Sequence, residues 1–160
     1  KRAQPVGLAL SRQNLPVIDR TKYSPASGAA KGAYVLAYGN DQAKDQCELI
    51  LIATGSEVSL ALLAREKLIS EGIKCRVVSA PSIEWFMAEP ESYRKQVLPD
   101  SIRARVSIEA GIAQGWREYV GDKGIVISLN HFGASAGAGK LFAEFGFSAE
   151  RVVSDIKKAL

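Results

Sequence analysis

The run CELILIAT, Cys47–Thr54, constrains this chain more than any other stretch. Its apolar and β-branched residues follow one another without a polar residue between Leu49 and Ala53. That pattern belongs to a strand covered on both faces, whereas a strand with one wet face alternates. The period then changes. In GSEVSLALLAREKLISEG, the residues Val58, Ala61, Leu62, Arg65, Leu68 and Ile69 fall largely on one side of a helix. Ser56 is the expected N-cap, Glu57 suits the positive end of the helix dipole, and Gly72 is placed to end the helix. KCRVVSAP, Lys74–Pro81, is the next strand, so the three pieces form a β-α-β unit with a right-handed crossover.

The alternation continues along the chain. AYVLAY (Ala33–Tyr38) reads as a short edge strand, ARVSIEA (Ala104–Ala110) as a third core strand and GIVISL (Gly124–Leu129) as a fourth. SIEWFM (Ser82–Met87) is expected to cover a sheet edge, PESYRKQVLP to hold a short helix between prolines, and QGWREYVG to follow as another helix. SAERVVSDIKKAL is an amphipathic closing helix with Ser148 as its cap and Lys157 and Lys158 in its last turn. The expected fold is three-layer α/β/α around a mostly parallel five-stranded sheet. Before it, PVGLAL (Pro5–Leu10) reads as a short buried strand, and Pro16–Gly32, with prolines, glycines and small residues, as a linker. The chain opens on Lys1 and enters an apolar run by Val6, which leads us to expect a piece of a longer polypeptide.

Composition narrows the function classes. With 47% hydrophobic residues a core can form, and no apolar run approaches the roughly 20 residues of a membrane span. A net charge of +4, dispersed among acids, gives no basic stripe for nucleic acid. Cys47 and Cys75 form no CxxC and lead into strands, so both are expected to be buried, inert thiols of a cytoplasmic protein. The single histidine, His131, excludes a multi-histidine metal site.

Four places could carry chemistry. GASAGAGK (Gly133–Lys140) has the look of a phosphate loop, but Ala134 stands at the first glycine position and Leu141 at that of the metal-side hydroxyl. It follows the last strand and is expected to be a small-residue turn. ATGSEV (Ala53–Val58) joins a strand to a helix N-terminus, where free N–H groups suit an anion, although Ser56 is claimed as a cap. Glu109 ends a core strand with no second acid or histidine beside it in sequence, so a hydrogen-bonded or loop-fixing role is expected. Finally, LALSRQNLP (Leu8–Pro16) projects Arg12 from the end of a strand among Ser11, Gln13 and Asn14, an arrangement suited to bidentate recognition of phosphate or carboxylate, although from these residues alone a solvated loop arginine is the expected reading.

LALSRQNLP, GAYVLA, LILIATGSEVSLA, KCRVVSAPS, YRKQVLP, SIEAGIAQGWREYVG and FGASA…LFAEFGF, in this order over nearly the whole chain, resemble the C-terminal part of transketolase. The chain departs from that pattern at Gly137, where the family carries proline. The resemblance implies an antiparallel edge strand in the sheet. It also implies residues 1–15 as the tail of the preceding pyrimidine-binding domain, 16–32 as an interdomain linker and 33–160 as the C-terminal domain. The implied activity is transfer of a two-carbon ketol unit between sugar phosphates by a homodimer, using thiamine diphosphate and Mg²⁺ or Ca²⁺. Arg12 is then the substrate-binding residue, for the sugar phosphate. No catalytic, cofactor-binding or metal-ligating residue of the family falls in this chain, so it should bind no cofactor and be inactive alone. Two alternatives remain: a non-catalytic regulatory or dimerisation module, and a fragment of a relative such as dihydroxyacetone synthase.

Overall fold

In the computed structural model, which describes residues 5–39 and 46–159, the apolar run becomes strand β2, Leu49–Ala53. None of its five residues is more than 1% exposed. It pairs in parallel with β3, Cys75–Ser79, on one side and with β4, Arg105–Ile108, on the other. The short β5, Ile125–Ile127, extends the sheet beyond β4, and β1, Tyr34–Ala37, closes the other edge antiparallel to β3. The order β1-β3-β2-β4-β5 is the mixed five-stranded sheet expected from the sequence.

Because successive side chains of a strand point to opposite faces, β2 feeds two cores. Leu49, Leu51 and Ala53 join Val77, Val106 and Ile108 under α1 (Glu57–Ser70) and α6 (Ala149–Ala159), which contribute Ala61, Leu68, Val152 and Ile156. Ile50 and Ile52 join Val78 on the other face. There Phe86 of α2 (Ile83–Met87), Val97 of α3 (Glu91–Val97) and Val120 of α4 (Trp116–Val120) cover them. Each such side chain contributes about 1.5–3 kcal/mol of transfer free energy. Helix α5, Ala138–Glu144, lies before Phe147, which belongs to the first core. Helix α1 is buried over more than one stripe, since Leu60 and Ala64 are also covered while Leu63 stays exposed.

Three arginines hold the ends of these elements through backbone carbonyls. Arg65 of α1 donates from Nε and Nη2 to the Tyr38 carbonyl, at 3.0 and 2.6 Å. Arg105 spreads its guanidinium over the carbonyls of Ile102, Tyr119, Leu98 and Pro99. Arg76, inside β3, reaches the carbonyls of Gln96 and Val97 at the end of α3. Such charge-assisted bonds satisfy carbonyls that helix ends leave open.

The segment before the sheet is fastened to it. Ser24 N–H donates to the Leu36 carbonyl, and Tyr23 and Lys22 both reach Glu66 of α1. A 3-10 turn, Ala26–Lys31, then leads to Gly32, whose φ is +81°. A Cβ there would stand 2.3 Å from Phe86 N and Ser82 O, so only glycine fits.

Two expectations do not hold. PVGLAL forms no strand: Val6, Leu8 and Leu10 are exposed, and no described strand pairs with them. A strand is stable only against a ladder partner, and none of the five strands offers one. Ser56 is not a side-chain cap either. It has already turned helical, with φ −65° and ψ −29°, and its hydroxyl donates to Glu57 Oε1 at 2.7 Å. Ser148 does cap α6, accepting from Arg151 N–H at 3.2 Å, and Ser82 caps α2 through Trp85 N–H.

The two-sided core predicts a sharp contrast between sites. Ile52→Ala should cost about 2–5 kcal/mol, whereas Leu63→Ala on the exposed side of α1 should cost under about 0.5 kcal/mol. Urea unfolding monitored by circular dichroism measures both.

Candidate functional site

Parallel sheets bind ligands where neighbouring strands send their connections to opposite sides. Here β2 leads through α1 to β3, while its neighbour β4 leads through α4 to β5, so the switch point lies beyond Ala53 and Ile108. The sequence puts Gly55, Ser56 and Glu57 after β2 and Glu109 after β4. Gly55 has φ +55°, which makes the tight exit from β2. Glu57 is buried with its Oε1 accepting from Ser56, and Glu109 Oε2 is buried without a partner. Burial, then the charge of nearby Glu57, pushes the Glu109 carboxyl up to about 7. The loop-fixing role expected of Glu109 is therefore confined to its backbone N–H, which donates to the Ile127 carbonyl at 3.1 Å. Glu57, read from the sequence only as an acid that suits the helix dipole, is also the buried neighbour of Glu109. Only its position on the turn of the first β-α unit hinted at this.

The other sequence candidates lie apart from that crevice. GASAGAGK follows the edge strand β5 as an exposed loop, and Lys140 stands in the first turn of α5. His131 is exposed, with Nδ1 2.8 Å from the Phe132 carbonyl and its ring edge-on to Phe145. Cys75 is buried and its thiol is pushed up to about 12, chiefly by burial, while the half-buried Cys47 thiol donates to the Leu49 carbonyl. Both thiols are free.

Arg12 stands in the unpaired segment ahead of the sheet. It is exposed, and it makes no hydrogen bond or ion pair with the described residues. Ser11 and Asn14 beside it are exposed as well, and Gln13 is half-buried. Among the described residues no three His, Cys, Asp or Glu side chains stand together as metal ligands. Glu57 and Glu109 supply two carboxylates, one already engaged by Ser56, which does not fit a diphosphate-bound divalent cation. No helix among the described residues is long and apolar enough to cross a membrane.

The sheet order, the helices on both faces and the acidic switch point define a three-layer α/β domain. A family model for the transketolase-like TK C-terminal domain matches residues 32–148. Transketolase of Mycobacterium tuberculosis H37Rv is 49% identical over 157 residues, which cover 98% of this chain and 22% of that protein. Transketolase 1 of Escherichia coli K12 is 49% identical over 156 residues, covering 98% of this chain and 23% of its own length. The crystal structure of Pichia stipitis transketolase in complex with sedoheptulose-7-phosphate superposes with a TM-score of 0.80 at 38% identity, over 92% of this chain and 20% of that one. The chain belongs to the transketolase family, and it spans less than a quarter of the length of these relatives.

The half-buried Glu109 carboxyl makes a pH-dependent contribution to stability. Between its ordinary value of 4.5 and about 7, the folded chain holds this proton more tightly than the unfolded chain does. Stability should therefore fall as pH rises through that window and level off above it. In Glu109→Gln that fall should be absent. Urea midpoints of both proteins below, within and above the window test this, and parallel profiles would contradict it.

Proposed function

We propose that this chain is the C-terminal part of a transketolase that moves a two-carbon ketol unit between sugar phosphates. The whole enzyme uses thiamine diphosphate and a divalent metal and works as a homodimer. Residues 1–15 end the preceding domain, 16–32 connect, and 33–160 form the C-terminal domain. The observation that carries this reading is near-half identity to curated transketolases over 98% of the chain. The sugar phosphate in the Pichia stipitis complex supports the substrate class.

In this reading the cofactor and its metal are held by parts of the parent outside these residues, where they supply the carbanion chemistry. The chain's own contribution is Arg12. Its guanidinium projects from an alternating apolar stretch, Val6, Leu8 and Leu10, whose exposed side chains are suited to burial in a sheet supplied by the preceding domain. Pairing there would fix the backbone and aim a planar, permanently charged fork at a dianion. A remote phosphate contact holds the sugar in place and takes no part in bond making.

The test uses the full-length parent. Each hydrogen bond to a charged group is worth about 1.5–3 kcal/mol, so Arg12→Ala should lower kcat/KM for phosphorylated sugars about tenfold to a hundredfold, much of it in KM. Non-phosphorylated substrates should be nearly unaffected. Equal losses for both would mean that Arg12 only holds the domain junction. As the control, this chain alone with thiamine diphosphate and Mg²⁺ should show no turnover, and measurable transfer would contradict the division of labour.

A further inference from the structure

Of the three arginines that staple carbonyls, Arg76 is the least committed. Arg65 uses Nε and Nη2, and Arg105 uses all three nitrogens. Arg76 donates to carbonyls from Nη1, at 3.0 Å to Gln96 O and 3.2 Å to Val97 O. Its Nε is buried without a partner, although the residue is only 5% exposed. No carboxylate forms an ion pair with it among the described residues. A buried, uncompensated cation is unfavourable unless an anion or further acceptors complete it.

Arg76 lines a cleft of about 400 Å³ between the 3-10 turn, β1 and α3. That volume lies within the roughly 300–1,000 Å³ of small-molecule sites. Tyr34, Tyr38 and Tyr93 are among its lining residues, with Ser24 and Ser27 at the turn. No acidic side chain is among the lining residues. Two more cations stand around it: Arg20 Nη1 is 3.4 Å from Tyr34 Oη, and Lys31 Nζ lies 4.2 Å from the Tyr93 ring centre. Lys31 is partly offset by Glu89 at 3.4 Å. The cleft thus combines a positive field, aromatic walls and a guanidinium with unused donor capacity.

We propose that this cleft binds a small ring-bearing oxyanion, a phosphate ester or a carboxylate, with Arg76 holding the anionic group and the tyrosines flanking the ring. The cleft lies on the chain's own elements, so the site is independent of the transketolase reading. Its test needs neither cofactor nor sugar substrate.

Chemical-shift titration of this chain with phenyl phosphate, benzoate and inorganic phosphate, and with benzyl alcohol as the uncharged control, reads the site directly. At least one ring-bearing anion should saturate with Kd of about 1 mM or tighter, shifting Ser24–Gly28, Tyr34 and Gln96, while benzyl alcohol should not. Tighter binding of phenyl phosphate assigns the site to phosphate esters, and tighter binding of benzoate to carboxylates. Arg76→Gln should weaken binding about tenfold or more. Because that change also releases the end of α3, Ser27→Glu serves as the second variant. It sets an acid at the exposed lip and should weaken binding similarly without lowering the melting temperature. If Arg76→Gln does not fold, Ser27→Glu decides alone. Absence of saturation by both ring-bearing anions, equal binding of benzyl alcohol, or unchanged affinity in Ser27→Glu or in a folded Arg76→Gln would overturn the proposal.

Discussion

A strand with no wet face leaves a chain little choice. Leu49–Ala53 exposes almost nothing on either side, so strands must flank it and helices must cover both faces. Those demands generate the layers. The α1–α6 pair closes over Leu49, Leu51 and Ala53, and the shorter α2, α3 and α4 close over Ile50 and Ile52. Helices of five to seven residues have little stability of their own, so their order rests on this packing and on the bonds that finish their ends.

The arginines supply many of those bonds. A guanidinium has five donors and no acceptor, so one side chain can serve several carbonyls from different segments at once. Arg105 does this for the turn after α3 and the end of α4, while Arg65 places two donors on one carbonyl at the exit of β1. Each such bond aims a permanent charge at a backbone carbonyl. They leave the chain's exposed ion pairs, such as Lys157 with Glu71 at 2.7 Å, as minor contributors of about 0–1 kcal/mol each.

The central unit was legible because its periods are strong: an unbroken apolar run, a helical repeat and a glycine that ends it. The five strands and their helices follow from that. What stayed hidden depends on distance in space. The burial of Glu57 beside Glu109 arises only when β2 and β4 become neighbours, since 52 positions separate the two acids along the chain. Arg76 in CRVVS sits in a strand whose far side meets α3, and sequence pattern carries no sign of which carbonyls it will find. Ser56 has the composition of a cap, but Gly55 turns the chain one residue earlier and the hydroxyl goes to Glu57. PVGLAL has the alternation of a strand, and its failure to form one shows that alternation states a readiness to pair, which needs a partner to become structure.

The central claim is that the two-faced sheet is self-sufficient while the Arg12 segment is not. Hydrogen exchange on this chain tests it most directly. The amides of Leu49–Ala53, Cys75–Ser79 and Arg105–Ile108 should exchange only through global unfolding, and those of Val6–Leu10 at rates close to those of an unstructured peptide. Protection of Val6–Leu10 comparable to that of Leu49–Ala53, or rapid exchange throughout the central strands, would contradict the account.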